Sequence, residues 1–127
     1  MTTHRPSPFQ RDELLERMMG NVEMMHRMLG KFVAAAPEVC DLLESTVRLG
    51  DAEAIASCAH RQKGAAQTMA APCVADCAAK LEQRATTAST AELLALVEEF
   101  RDAHRALQSA WAAECDASCA VGNPASA

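Results

Sequence analysis

The amino-acid sequence predicts an all-α protein: an antiparallel up-down-up-down four-helix bundle with a short extra N-terminal helix. Alanine, the strongest helix former, accounts for 27 of the 127 residues. Residues that favour strands are few, with seven Val, seven Thr, three Phe, one Ile and no Tyr. Apolar residues recur at helical spacing along four long segments. A length of 127 residues suits one domain, which we place at residues 7–115, between a flexible leader (1–6) and a disordered tail (116–127).

The first two helices are predicted to meet at a glycine. Ser7 as N-cap and Pro8 in the first turn begin a short helix that stops at Gly20. Asn21 then caps a longer helix, and its apolar stripe continues in phase beyond Pro37, which predicts one helix there rather than a chain reversal. The members of that stripe are Val22, Met25, Leu29, Phe32, Ala36, Val39 and Leu43.

The other three helices follow from their start and stop signals. Gly50 and Asp51 end the second helix and cap the third, which is predicted over residues 52–69. The fourth helix is expected from Pro72 to about residue 85. The Ser-Thr-Ala-Glu capping box at residues 89–92 opens the last helix, which should end a little beyond Trp111.

Charge and hydropathy exclude several classes of partner. The net charge of −5 has no basic stripe, which argues against nucleic acid as the main partner. No stretch is long and apolar enough to span a membrane, and the first residues lack the apolar core of a signal peptide. We therefore expect a cytoplasmic protein whose six cysteines are reduced thiols.

One face of the third helix carries the chemically informative residues. His60, Lys63, Gly64 and Gln67 share that face because residues three and four apart are neighbours on a helix, and Arg61 lies beside it. The face is turned away from the apolar stripe, so His60 is predicted to be exposed. A neutral imidazole has a ring nitrogen that can act as a nucleophile.

Lys63 and Gly64 give this histidine a specific setting. Glycine inside a helix costs about 1 kcal/mol relative to alanine, so Gly64 in an alanine-rich helix indicates clearance for a close approach by another protein. Lys63 places a cation where a phosphoryl group on the imidazole would carry its negative oxygens. These features favour a phosphoryl acceptor over an ordinary solvated histidine.

The segment Ala59-His60-x-x-Lys63-Gly64-Ala65-Ala66, followed by Leu81-Glu82 on the next helix, resembles the histidine-containing phosphotransfer (HPt) domain of bacterial multistep phosphorelays. The resemblance extends from Phe9 to Trp111. Two positions depart from it: Gln62 replaces an apolar residue, and Ala70-Ala71 replaces Gly-Ala.

The resemblance implies a role as a phosphorelay intermediate. His60 would accept a phosphoryl group from a receiver-domain aspartate and pass it to another receiver domain, with Lys63 stabilising the group and Gly64 giving clearance. The partners would be response-regulator receiver domains, a hybrid sensor histidine kinase, or both. The receiver would supply Mg²⁺, while this chain would be a monomer with no cofactor, ATP site or autokinase activity.

The cysteines support an alternative hypothesis. Cys73 and Cys77, and Cys115 and Cys119, are spaced four apart at helix ends that an antiparallel bundle brings to the same end. Four thiolates there could hold zinc or an iron–sulfur cluster. The chain would then be a non-phosphorylated metal or redox module, or a binding scaffold. The tight Cys-x-x-Cys spacing of such sites is absent, and cysteine also substitutes readily for alanine in a packed bundle.

Two further sets of residues receive structural interpretations. Met18, Met19, Met24, Met25 and Met28 cluster around the first two helices, where we interpret most as core and some as a soft docking patch. His104 lies beside the apolar stripe of the last helix and is interpreted as an interior histidine with its hydrogen bonds satisfied. The charges around Lys80, Glu82 and Arg84 are interpreted as solvated faces.

Overall fold

A computed structural model describes the backbone of residues 7–122 and the side chains of residues 7–117. This part of the chain forms five α-helices and contains no β-strand. The helices are α1 (Arg11–Arg17), α2 (Val22–Leu49), α3 (Ala52–Thr68), α4 (Pro72–Arg84) and α5 (Thr90–Gly122). The predicted leader, residues 1–6, lies outside the described residues.

Local capping bonds fix the junctions between the helices. The Asn21 side chain accepts a hydrogen bond from the Met24 backbone N–H at 2.9 Å, and α2 ends at Gly50 in the left-handed conformation (φ 75°). Ser89 and Glu92 bond reciprocally, with backbone-to-side-chain distances of 3.1 and 3.3 Å. Asp51 caps α3 in the same manner as Asn21 caps α2. These predicted caps are confirmed.

The predicted start of the first helix is wrong. Residues 7–10 are not helical, and α1 begins at Arg11 with Gln10 as its N-cap. The Gln10 backbone N–H donates to the carbonyl oxygen of Ala70 at 2.7 Å. This bond holds the chain against the α3–α4 junction, and the local Ser7-Pro8 signal cannot override it.

The predicted end of the last helix is also wrong, because α5 continues about three turns beyond Trp111, to Gly122. Glu114 on this extension forms ion pairs with Arg11 at 2.5 Å and with His26 at 3.5 Å. The extension therefore lies against α1 and the start of α2. Residues 116–122 are helical rather than a disordered tail, and residues 123–127 lie outside the described part.

The four long helices form a closed ring of neighbours. The packed pairs are α2 with α3, α3 with α4, α4 with α5, and α5 with α2. The fully buried side chains between them are large apolar residues, led by Phe100, Met25, Leu29, Leu43, Ile55, Leu81 and Leu107. On α2 the buried stripe passes through Val33 and Cys40, whereas Phe32 and Val39 are only half-buried. None of the described helices is long and apolar enough to cross a membrane.

Candidate functional site

His60 is an exposed side chain whose ring is anchored on one side only. It lies on α3 with 67 % of its side chain exposed, and its Nδ1 is 2.8 Å from Oε2 of Glu82 on α4. Glu82 has 28 % of its side chain exposed. The imidazole is thus positioned by the neighbouring helix while its other ring nitrogen, Nε2, remains on the open side.

Lys63 shares the same carboxylate. Its Nζ is 2.8 Å from the other oxygen of Glu82, Oε1. One turn of α3 therefore places an imidazole and an ammonium against the two oxygens of a single carboxylate from α4. Lys63 is therefore paired with Glu82 in this structure.

The protonation state of Glu82 determines the tautomer of His60. Hydrogen bonds from Lys63 and, next, from His60 lower the pKa of the Glu82 carboxyl below its ordinary value, so the group is ionised at neutral pH. An ionised carboxylate only accepts hydrogen bonds, so Nδ1 of His60 must carry the proton and donate it to Glu82. In the neutral imidazole, Nε2 is then the nitrogen without a proton, and its lone pair is available for attack.

Gly64 leaves open space beside His60. A Cβ built on Gly64 meets no atom within 4 Å, so no contact inside the described part of the bundle requires glycine there. Arg61 and Gln67 are exposed on or beside the same face. Gln62, which departs from the family pattern, is half-buried, so its side chain is not sealed in the core.

The site residue that the sequence interpretation missed is Glu82. The sequence pattern places it among solvated charges, although the Leu81-Glu82 pair is part of the resemblance. Its partners are 19 and 22 positions away along the chain, so no helical spacing within one element links them. Only the packing of α3 against α4 brings the three side chains together.

The four cysteines of the metal hypothesis do not form a described cluster. Across the described residues, no group of three or more His, Cys, Asp or Glu side chains could hold a metal ion. Cys73, Cys77 and Cys115 are half-buried, and the side chain of Cys119 lies outside the described residues. Burial raises the pKa of the Cys77 thiol to about 11, so this thiol is protonated at neutral pH and is not a reactive free thiolate.

The burial of the methionines and the hydrogen bonding of His104 agree only in part with the sequence interpretation. Met25 is core, but Met19, Met24 and Met28 are exposed, at 94, 38 and 38 %. His104 is interior as expected, yet neither ring nitrogen has a hydrogen-bond partner among the described residues. Its hydrogen bonds are therefore not satisfied there, because its closest ring neighbours are the apolar Phe32 and Phe100.

Comparison with protein families identifies the family of this chain. A family model described as "Hpt domain" matches residues 27–116. The matched range includes the whole of α3 and α4, and therefore His60, Lys63, Gly64 and Glu82. No curated protein and no solved structure matches the chain.

Proposed function

Since the chain belongs to the Hpt domain family, in which histidine phosphotransfer serves phosphorelays, we propose that it accepts a phosphoryl group on Nε2 of His60 and relays it between receiver domains. The donor is a receiver-domain aspartyl phosphate and the acceptor a second receiver aspartate. The observation that carries the proposal is the hydrogen bond from Nδ1 of His60 to Glu82, because it leaves Nε2 unprotonated and on the exposed side.

The transfer step balances on the groups of this site. The lone pair of Nε2 forms the new N–P bond while the P–O bond to the receiver aspartate breaks, and the aspartate leaves as a carboxylate. The proton on Nδ1 stays in place, so the ring gains positive charge as the bond forms. The Glu82 carboxylate faces that charge at 2.8 Å and stabilises it, as a carboxylate does for a catalytic imidazole.

Lys63 and Gly64 serve the incoming group and its carrier. The Lys63 ammonium lies within one helical turn of His60 and can turn towards phosphoryl oxygens. The open space over Gly64 admits the receiver close to the ring. The receiver provides the aspartate and its Mg²⁺, while this chain provides a positioned nucleophile and no ATP site.

The lengths of the links between the helices bear on the order in which the helices run. Connections of two, three and five residues join α2 to α3, α3 to α4 and α4 to α5, which supports the antiparallel up-down-up-down order because such short links join adjacent antiparallel helices. The exposed Met24 and Met28 on α2 offer a soft apolar surface for receivers of response regulators or of a hybrid sensor kinase. A monomer is sufficient for this role.

The proposal is tested by phosphoryl transfer from receiver domains loaded with acetyl phosphate. The full chain, incubated with each phosphorylated receiver, is expected to acquire one phosphoryl group that is labile in acid and stable in base. His60→Gln should lose this adduct and keep its helical circular-dichroism spectrum, because His60 is exposed.

The matched control is His26→Gln. His26 lies near the start of α2, and its ring is paired with Glu114 of α5. This variant should be phosphorylated like the parent chain. An adduct that persists in His60→Gln, or one that disappears in His26→Gln while the fold is kept, contradicts the assignment of His60.

A further inference from the structure

A cleft of about 440 Å³ opens between α2 and α5. It lies across the bundle from His60 and Glu82, since those residues belong to α3 and α4, which form the opposite side of the ring of helices. A receiver docked over His60 would leave this cleft open. Its lining is therefore free to serve a purpose separate from phosphoryl transfer.

One wall of the cleft is the indole of Trp111, held against α2. Its Nε1–H donates to the carbonyl oxygen of His26 at 3.0 Å. A Cβ on Gly30 would come within 3.0 Å of the ring carbon Cζ2, so only glycine at this position accommodates the indole without displacement. The remaining α2 lining consists mainly of small or apolar residues, among them Ala34 and Pro37.

The polar part of the lining comes from α5. Arg101, His104, Gln108 and Trp111 all line the cleft, and their spacing of three and four residues places them on one helix face. His104 is 5 % exposed, and neither of its ring nitrogens has a hydrogen-bond partner among the described residues. A buried imidazole without partners is destabilising, and a bound group that hydrogen-bonds to it would relieve that cost.

Only one of the two cleft arginines is available for a ligand. Arg101 is 19 % exposed and already bonds to three carboxylates, those of Asp41, Glu44 and Glu98, at 2.7–3.1 Å. Arg105 is 65 % exposed, and among the described residues it pairs only with Asp102 of its own helix, which is 71 % exposed. Such an exposed ion pair contributes little to the stability of the fold. The Arg105 guanidinium can therefore turn from Asp102 to an anion in the cleft.

We propose that the α2–α5 cleft binds a small organic carboxylate with a hydrocarbon body. The carboxylate pairs with the Arg105 guanidinium and, with a turn of the His104 ring towards the cleft, accepts a hydrogen bond from its N–H, which satisfies a buried donor and supplies an anion to a weakly engaged cation. The hydrocarbon body packs against the Trp111 indole and the small residues of α2. Both parts are needed, because the lining combines the small or apolar residues of α2 and the Trp111 indole with the polar side chains of α5.

Nuclear magnetic resonance titration of the full chain with 3-phenylpropanoate tests the proposal. Because the chain has one tryptophan, its single indole N–H signal reports directly on the cleft. Saturable shifts of this signal and of the His104 ring signals are expected. The neutral 3-phenylpropan-1-ol should bind at least about tenfold more weakly, and acetate should give no saturable shift. Absence of saturation with the acid, or equal binding of the alcohol, overturns the proposal.

Two variants locate the binding. Arg105→Gln removes the cation, and Ala34→Leu fills the cleft from an exposed helix position. Each should weaken 3-phenylpropanoate binding at least about tenfold. Ala35→Leu is the matched control, since Ala35 is exposed on α2 but does not line the cleft. Unchanged binding in the first two variants, or an equal loss in the control, places the ligand elsewhere and contradicts the proposal.

Discussion

Glu82 is the residue on which the chemistry of the site depends most directly, after His60 itself. It bonds to His60 through one oxygen and to Lys63 through the other, both at 2.8 Å. Its lowered pKa means that it remains a carboxylate throughout the neutral range. The carboxylate thereby sets the tautomer of the nucleophile and holds the cation beside it.

Glu82→Gln is expected to slow phosphoryl transfer to His60 by roughly fivefold. The oxygen of a neutral amide can still accept the hydrogen bond from Nδ1–H, but the bond loses its charge assistance, a difference of about 1 kcal/mol. The rate of transfer from a phosphorylated receiver is the measurement. Glu99→Gln, which makes the same charge change in the exposed pair with Lys80, is the control and should transfer at the parent rate. Equal rates for both variants would show that Glu82 has no part in the step.

His104 makes stability depend on pH. Burial lowers its pKa to about 4 in the folded chain, against about 6.5 for an unperturbed histidine. Between pH 6.5 and 4, His104 is protonated in the unfolded chain but still neutral in the folded chain. The free energy of unfolding is therefore highest above pH 6.5 and falls as the pH decreases towards 4. The loss amounts to about 3 kcal/mol.

His104→Leu should flatten this dependence and raise stability at neutral pH by about 1–3 kcal/mol, because it replaces a buried group without hydrogen bonds by an apolar one of similar size. Urea unfolding followed by circular dichroism at pH 7, 6 and 5 measures both effects. If the variant retains the slope of the parent chain, His104 is not the titrating group.

At the level of the helices, α3 carries the site because its composition leaves one face free. Alanines fill its buried side, including Ala59 and Ala66, and let α4 approach closely enough for Glu82 to reach two residues of α3. Gly64 on the outer face weakens this helix without a packing reason among the described residues.

Gly64→Ala should stabilise the fold by up to about 1 kcal/mol, because alanine is the better helix former and its Cβ meets open space. Transfer should nevertheless slow, and Gly64→Leu should slow it further, since the side chain enters the space that the receiver needs. Thermal unfolding and transfer rates together measure the two effects. The control is Ala106→Leu, an exposed position on α5, which should leave transfer unchanged. Full transfer by Gly64→Leu would rule out a receiver approach over this turn.

At the level of the whole molecule, the bundle holds together through apolar packing around its ring of helices. The cysteines contribute to that packing rather than to a described cluster: Cys40 and Cys58 are buried, and Cys77 lies half-buried against the core. Burial raises the pKa of the Cys40 and Cys77 thiols, as expected for small apolar residues.

Replacing Cys73, Cys77, Cys115 and Cys119 together by alanine should leave phosphoryl transfer intact. None of the four shares the helix face of His60, Lys63 and Gly64, and the change should cost only modest stability from lost side-chain volume. Transfer assays, unfolding curves and metal analysis of the parent chain are the measurements. Stoichiometric zinc or iron in the parent, together with unfolding of the variant, would instead support the metal hypothesis.

The sequence by itself determined the features that act over one or two helical turns. The Asn21, Asp51 and Ser89–Glu92 caps form between residues three apart, so the residues that define them also make the bonds. The exposed placement of His60 follows equally from the spacing of its own helix. These local interactions fixed the helical class and the face that carries the nucleophile.

Only the tertiary structure decided the interactions between residues far apart in the chain. Glu82 reaches His60 across 22 positions, Gln10 reaches Ala70 across three helices, and Glu114 reaches Arg11 across 103 positions. Each depends on how two helices pack, which no periodicity within one helix reveals. For that reason only the fold decided four features: the tautomer of His60, the start of α1, the length of α5 and the lack of hydrogen-bond partners for His104 among the described residues. The caps and the exposed face, by contrast, follow from the sequence.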